Sequence, residues 1–419
     1  MNIFSKSAPN PGQLVNDEAV KKRSLILIFI VMLMDIIGIT LLSPVAPKIV
    51  LRYSSSALVV TLIPVVYALG QFVASPILGK IGDKIGRRPV LLVSLFGQAL
   101  GYIIFGLGGS LWMLILGRLI GGITSGNLST SSAYIADISK PEERSKNFAI
   151  ISTAWSLGLI MGPALGGLFG QFSLETPAFV AGAVTLINLV LGCFLLPESL
   201  PKQKRDTTKL VIRDYNPILA ILDMAARPGL GAIILISAIF GFAFNGMNSI
   251  LALFMIQKFT ADTWVLSLMM MLSGVTIALA NSFLIPFLAP RFSVKLMGVF
   301  GLLGLAISSV GVFFAPLIWL TILVNILGSA MSAFIFPALT TLSIERVLPK
   351  EAGQLLGVNS AVGSLMNIVG PLCAGLVYDY VMAGSPFWMG AIVLVVAAYL
   401  LIQTASPGAR PEQPVVFEQ

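Results

Sequence analysis

The sequence predicts an all-α integral membrane protein of twelve transmembrane helices in two six-helix halves. Three observations carry that prediction: composition, the length of the apolar runs and an internal repeat. Of 419 residues, 57% are hydrophobic and only 11% charged, with mean hydropathy +0.95, whereas about a quarter of an ordinary soluble domain is charged. A water-soluble globule is therefore excluded. Apolar runs of about 20 residues, the length that crosses about 30 Å of hydrocarbon as helix, fall at 24–47, 57–78, 89–108, 111–136, 147–171 and 177–197, and again at 229–257, 263–288, 297–315, 317–344, 353–378 and 386–405. At a constant offset of 208, Pro141 matches Pro349, Glu143 matches Glu351, Gly162-Pro163 matches Gly370-Pro371, Gly167 matches Gly375 and Gly38 matches Gly246. A repeat of this kind implies two halves in the same orientation about an axis along the membrane normal, with a substrate site between them near the midplane.

Taken in order, residues 1–23 are polar, end in Lys21-Lys22-Arg23 and read as a disordered cytoplasmic tail. The run after them lacks a small-residue cleavage site, so it is an uncleaved span rather than a signal peptide. The N-terminal half occupies 24–197 and the C-terminal half 229–405. Between them 198–228, the longest hydrophilic joint, reads as a cytoplasmic linker with a short amphipathic stretch, and 406–419 is a second tail. An even number of spans puts both termini on one side. That side collects 22 Lys and Arg, against three on the other, Lys48, Arg52 and Lys258; the positive-inside rule makes it the cytoplasm.

The net charge of +8 is thus topological and implies no nucleic-acid partner. Histidine is absent, which removes a His proton relay and His-ligated metal or haem. Cys193 and Cys373 each sit within an apolar run and read as small hydrophobes. There is no phosphate-binding Gly-rich loop and no paired catalytic carboxylates. The expectation is a non-enzymatic protein without cofactor or metal, driven by a gradient.

Asp35 is the one acidic residue of 18 that falls inside a span, where a charge costs about 2.5–3.5 kcal/mol on the insertion scale. It lies about 16 Å from the cytoplasmic start of its helix and Arg118 about 10 Å from the external start of span four, at 1.5 Å per residue. In a core of about 30 Å their heights differ by about 4 Å, close enough to pair directly or through water if the helices adjoin. Desolvation favours a neutral carboxyl and a guanidinium a charged one, so a proton, a cationic substrate and Arg118 can compete for Asp35. The alternative is a structural ion pair that fixes helix packing.

The joint after span two, GKIGDKIGRRP from Gly79 to Pro89, resembles the loop signature of the major facilitator superfamily. LGRLIGGITSG around Arg118 resembles that superfamily's span-four arginine motif, and GLIMGPALGG from Gly158 to Gly167 its antiporter motif. MDIIGITLLSPVAP in span one and LPES after span six are similar to the twelve-span drug:proton antiporters, including bacterial tetracycline efflux proteins. The C-terminal half carries the resemblance mainly through Gly370-Pro371; its counterpart of the loop motif, LAPRFSVKL, keeps basic residues without the aspartate and glycines.

The resemblance implies a multi-pass protein of the bacterial inner membrane that exports an amphiphilic or cationic compound for protons, with Asp35 and Arg118 in proton coupling and substrate binding. It makes Gly79, Asp83, Gly86, Arg87, Arg88 and Asp137 a conformational latch: the glycines permit a tight turn, Asp83 faces a helix start near Gly353, and Arg87 pairs with Asp137. Loop stapling is the alternative. It also gives the bend at Gly158, Gly162, Pro163, Gly166 and Gly167 a role in sealing the cavity, although such a small-residue stripe is explained by close helix packing alone. Candidate cavity residues are Asp35, Tyr67, Gln71, Arg118, Asn127, Trp155, Asn245, Asn248 and Asn281; the uncharged ones among them are equally readable as interhelical hydrogen bonds. Partners expected are a small molecule, protons and the bilayer, with the chain as a monomer. Rival readings are transport of an anionic metabolite or lipid held by Arg118, and a non-transporting receptor or scaffold.

Overall fold

The computed structural model describes residues 18–205, 217–227, 229–348 and 351–404. Most of the expected tails and part of the linker lie outside these residues. Among the described residues, twelve helices are long and apolar enough to cross a membrane. The first six are Val20–Leu51, Ala57–Ile85, Arg87–Leu107, Leu111–Ile138, Lys146–Phe169 and Thr176–Leu195. The second six are Leu230–Phe259, Thr263–Leu288, Val294–Phe314, Ile318–Ile344, Ala352–Tyr380 and Ser385–Gln403. They are numbered as spans one to twelve below.

Four spans differ from the expected continuous runs. Span one begins as helix at Glu18, ahead of the expected 24, and turns at 42–45 before the short helix Ala46–Leu51, which carries Pro47 in its first turn, where proline's missing N–H has no helical partner to lose. Span two runs on through Ile85, so Gly79 and Gly82 are helical and only Gly86, at φ 112°, makes the turn. Span four breaks at Thr124–Gly126 into Leu111–Ile123 and Asn127–Ile138. Span eight contains a π-helical segment, Ala280–Leu284, just before Pro286, a residue that cannot donate to the α-helical ladder.

The chain groups into two compact units. One gathers spans one to six with 249–275, and the other gathers spans nine to twelve with the remainder of spans seven and eight. Inside the first, span one is the axis. Ile36 and Met32 bury against Ala154 of span five, and Ile28 against Tyr134, Ile135 and Leu196. The Asn188 amide of span six donates to the Val31 carbonyl at 2.9 Å. Spans one and five approach until a methyl placed on Gly162 would lie 3.2 Å from the Ile37 carbonyl.

Inside the second unit the same relation recurs between spans seven and eleven, where a methyl on Gly370 would meet the Phe242 carbonyl at 2.6 Å and one on Gly246 the Gly370 carbonyl at 3.0 Å. Gly370 is the offset-208 counterpart of Gly162, so its close approach to a preceding span recurs, whereas Gly38, the counterpart of Gly246, faces Tyr102 and Thr185 of spans three and six instead. The amphipathic stretch of the linker is the helix Pro217–Ala225. Its Met224 buries against Leu230, Leu355 and Val358.

Candidate functional site

Asp35 is 7% exposed in the middle of span one. The Asn127 amide donates to its Oδ1 at 2.8 Å and lies 3.4 Å from the Gln98 carbonyl oxygen. Gln98 in turn reaches Tyr67 Oη at 3.5 Å, Tyr67 Oη donates to Ser125 Oγ at 2.8 Å, and the Gln71 amide donates to the same Ser125 Oγ at 2.9 Å. A chain of polar side chains thus joins spans one, two, three and four around one carboxyl. The break in span four builds it: Ser125 lies in the break itself and Asn127 is the first residue of the helix that resumes after it. Buried polar groups cost about 1–3 kcal/mol when unpartnered, so this chain both holds Asp35 and fixes the four spans around it.

Arg118 is elsewhere in the cluster. It forms no ion pair with Asp35; its guanidinium stacks 4.9 Å over the Phe105 ring, and its Nε is buried without a hydrogen-bond partner among the described residues. Depth alone put the two charges together. The direction in which each side chain leaves its helix separates them, because Arg118 precedes the break in span four and faces span three, while Asp35 is met by Asn127 beyond the break. Tyr102 stands between span one and span three, its Oη buried, unpartnered and 3.3 Å from the methyl that Gly38 lacks.

The loop motif forms a second cluster at the lysine- and arginine-rich ends of the spans. Arg87 is 8% exposed, with Nη2 2.6 Å from Asp83, Nε donating to Asp137 Oδ2 at 3.1 Å and Nη1 donating to the Gly79 carbonyl at 3.4 Å. Asp83 therefore pairs with Arg87 from the last turn of span two. The expected Arg87–Asp137 pair is present.

The segment after span six completes this cluster. Glu198 Oε1 accepts from the Arg87 backbone N–H at 2.8 Å and caps the start of span three, Ser199 Oγ donates to Asp137 Oδ2 at 3.0 Å, and Tyr134 Oη donates to the Pro197 carbonyl at 3.0 Å. Arg88 donates to the Cys193 carbonyl.

A family model described as Major Facilitator Superfamily matches residues 28–365 and 233–417. The chain belongs to the Major Facilitator Superfamily. Tetracycline resistance protein, class C, of Escherichia coli is 31% identical over 382 residues, covering 90% of this chain and 95% of its own. Multidrug resistance protein 2 of Bacillus subtilis is 28% identical over 382 residues, 88% of this chain and 93% of its own. The crystal structure of the human organic anion transporter MFSD10 superposes with TM-score 0.68 at 25% identity, over 91% of this chain and 99% of that one. These relatives make the chain a membrane transporter of small molecules and not an enzyme, which sets aside the receptor or scaffold reading.

Within this Major Facilitator Superfamily chain, the structure brings Asp35, Tyr67, Gln71 and Asn127 together and adds Gln98 and Ser125, neither of which the sequence singled out as a site residue. Trp155 is 43% exposed on span five. Asn245 and Asn248 donate to carbonyls one turn back in their own helix, Gly241 at 2.9 Å and Phe244 at 2.8 Å, and Asn281 is exposed within the π-helical segment. The glycines of span five are packing sites: Gly158 and Gly162 sit against Ile36 and Thr40, Gly166 against the Leu41 carbonyl and Pro44, and Gly167 against Ser267 of span eight. Depth alone singles out Asp35 in the sequence, and Asn127 is among the polar candidates inside the spans; Gln98 could not be found this way, because nothing in the sequence marks it as facing span one.

Proposed function

We propose that this transporter exports an amphiphilic or cationic small molecule, of the drug or tetracycline class, in exchange for protons by alternating access. The buried Asp35 carboxyl, with the Asn127 amide on its Oδ1, carries this reading. One carboxyl can hold a proton or a cation but not both, so competition between them couples the two fluxes in the simplest way. The amide chain through Gln98, Tyr67 and Ser125 keeps it in place in both states. The names of the Escherichia coli and Bacillus subtilis relatives support the substrate class. On this reading the chain works as a monomer in the bacterial inner membrane, and the distribution of its basic residues supports cytoplasmic termini.

The test is uptake into everted vesicles of a cationic dye and of tetracycline under an imposed pH gradient, comparing wild type with Asp35→Asn. Accumulation by wild type and none by a folded Asp35→Asn protein is the expected result. No movement of either compound by folded wild type overturns it.

A second reading has its own observation. Arg118 is a guanidinium inside a span with a buried Nε that no side chain occupies, and the human structure of similar fold is named for organic anion transport. An anionic substrate held at Arg118 predicts loss of organic-anion flux in Arg118→Gln with cation flux unaffected.

A further inference from the structure

A cavity of about 720 Å³ opens between the first turns of span one and span five, within the range of about 300–1,000 Å³ typical of small-molecule sites. Lys22 and Lys146 stand at its mouth, and Ile26, Phe29 and Ile150 line it further in. Lys22, Ile26 and Phe29 recur at i, i+4 and i+7 on one helix, and Lys146 and Ile150 at i and i+4 on the other. Both walls therefore change from cationic to apolar in the same direction, over about 10 Å from Lys22 to Phe29.

The remaining charges at the mouth centre on Lys21, which stands between two carboxylates, so that with Lys22 and Lys146 the lining still carries one net positive charge. Lys21, only 5% exposed at its side chain, hydrogen-bonds Glu143 and lies 3.6 Å from Glu18. The Lys21 ammonium holds the Glu143 carboxyl below its ordinary value, so that pair stays ionised and joins the two span starts. Among the described residues, neither Lys22 nor Lys146 makes an ion pair, and both are exposed. Two uncommitted ammonium groups are left directly above an apolar trough.

We propose that this groove binds one anionic phospholipid, its phosphodiester at Lys22 and Lys146 and an acyl chain along Ile26, Phe29 and Ile150. The occupant follows from charge and polarity together: every phospholipid places a phosphate immediately above hydrocarbon, but only an anionic one does so without a head-group cation to compete with the two ammonium groups, and basic pockets between membrane helices recognise such head groups. Lysines that merely snorkel toward water need no trough beside them. The site is separate from the Asp35 cluster and does not depend on the transport reading.

Native mass spectrometry of the purified full-length chain, titrated with palmitoyl-oleoyl phosphatidylglycerol or phosphatidylcholine, tests it. The expected result is adduct formation at about tenfold lower concentration for phosphatidylglycerol, a preference lost in Lys22→Gln/Lys146→Gln and kept in Lys22→Arg/Lys146→Arg. Phe29→Ser weakens both lipids. Equal binding of the two lipids by wild type, or an unchanged preference in the glutamine pair, overturns the proposal, as does displacement of the lipid by water-soluble glycerol 3-phosphate. Should the double variant fail to fold, Lys146→Gln alone, which disturbs no ion pair, carries the same comparison.

Discussion

The amide of Asn127 donates to Asp35 Oδ1 at 2.8 Å across the interface of spans four and one, and both side chains are less than a tenth exposed. Asn127→Ala removes that donor and leaves a buried carboxyl short of a partner, an expected cost of about 1–3 kcal/mol. Asp35→Asn is expected to keep the shape of the site and the fold and, on the proposed exchange mechanism, to abolish proton-coupled flux in everted vesicles. Because the two residues share one bond, and an asparagine at 35 would still accept it, the cycle uses Asp35→Ala: the thermal destabilisation of Asp35→Ala/Asn127→Ala should fall short of the sum of the two alanine singles by more than about 0.5 kcal/mol. Additive melting shifts would sink the assignment of Asn127 as the residue that holds Asp35.

The loop motif separates stability from turnover. Arg87 is almost fully buried and bonds Asp83, Asp137 and the Gly79 carbonyl, so Arg87→Ala leaves the half-buried Asp137 carboxylate without its ion pair and should cost about 1–3 kcal/mol of melting stability. The Asp83 side chain is 42% exposed, where ion pairs contribute about 0–1 kcal/mol. Asp83→Asn is therefore expected to melt close to wild type while slowing vesicle transport, as a conformational latch requires. Unchanged turnover would reduce the motif to a loop staple.

The twelve spans were legible because each needs its own stretch of apolar residues, and the two halves because Gly38, Gly162 and Pro163 return at Gly246, Gly370 and Pro371. The Arg87–Asp137 pair was legible because both residues fall at the same membrane height at the ends of neighbouring spans. What the sequence left hidden depends on azimuth. Depth along a helix follows from counting residues, but the face that a residue presents depends on where the helix breaks, and the break at Thr124–Gly126 puts Asn127 rather than Arg118 beside Asp35. The partner of Glu198, a residue of the LPES motif, was hidden for a related reason. Glu198 lies beyond span six, in polar sequence that reads as linker, yet it caps the start of span three.

That cap makes a prediction of its own. Glu198→Ala removes the acceptor for the Arg87 N–H, and losing an N-cap acceptor costs about 0.5–2 kcal/mol. Gly86→Ala acts at the same corner by a different route. Its φ of 112° belongs to backbone that side chains rarely adopt, and the added methyl would lie 2.7 Å from the Glu198 carboxyl carbon and 2.9 Å from Arg205 Nη2. Residues forced into such a conformation cost about 1–3 kcal/mol. Differential scanning fluorimetry should place Gly86→Ala at or below Glu198→Ala, and a wild-type melt for Gly86→Ala would rule out the tight corner.

The close approach of spans one and five is open to a paired test that controls for helix propensity. Thr40 Oγ1 fills the space where a Gly162 methyl would go and is held there by the Ile36 and Gly158 carbonyls at 2.8 and 2.9 Å. It cannot move aside without breaking one of those bonds, and the Ile37 carbonyl closes the other side. Gly162→Ala therefore forces the two helices apart one turn from Asp35, with an overpacking cost of about 1–3 kcal/mol and a fall in flux. Gly363, inside span eleven, has nothing within 4 Å of the same added methyl. There alanine gains helix propensity of up to about 1 kcal/mol and meets no clash, so Gly363→Ala should melt at or above wild type. If both variants melt alike, contact between spans one and five is not what excludes a side chain at Gly162.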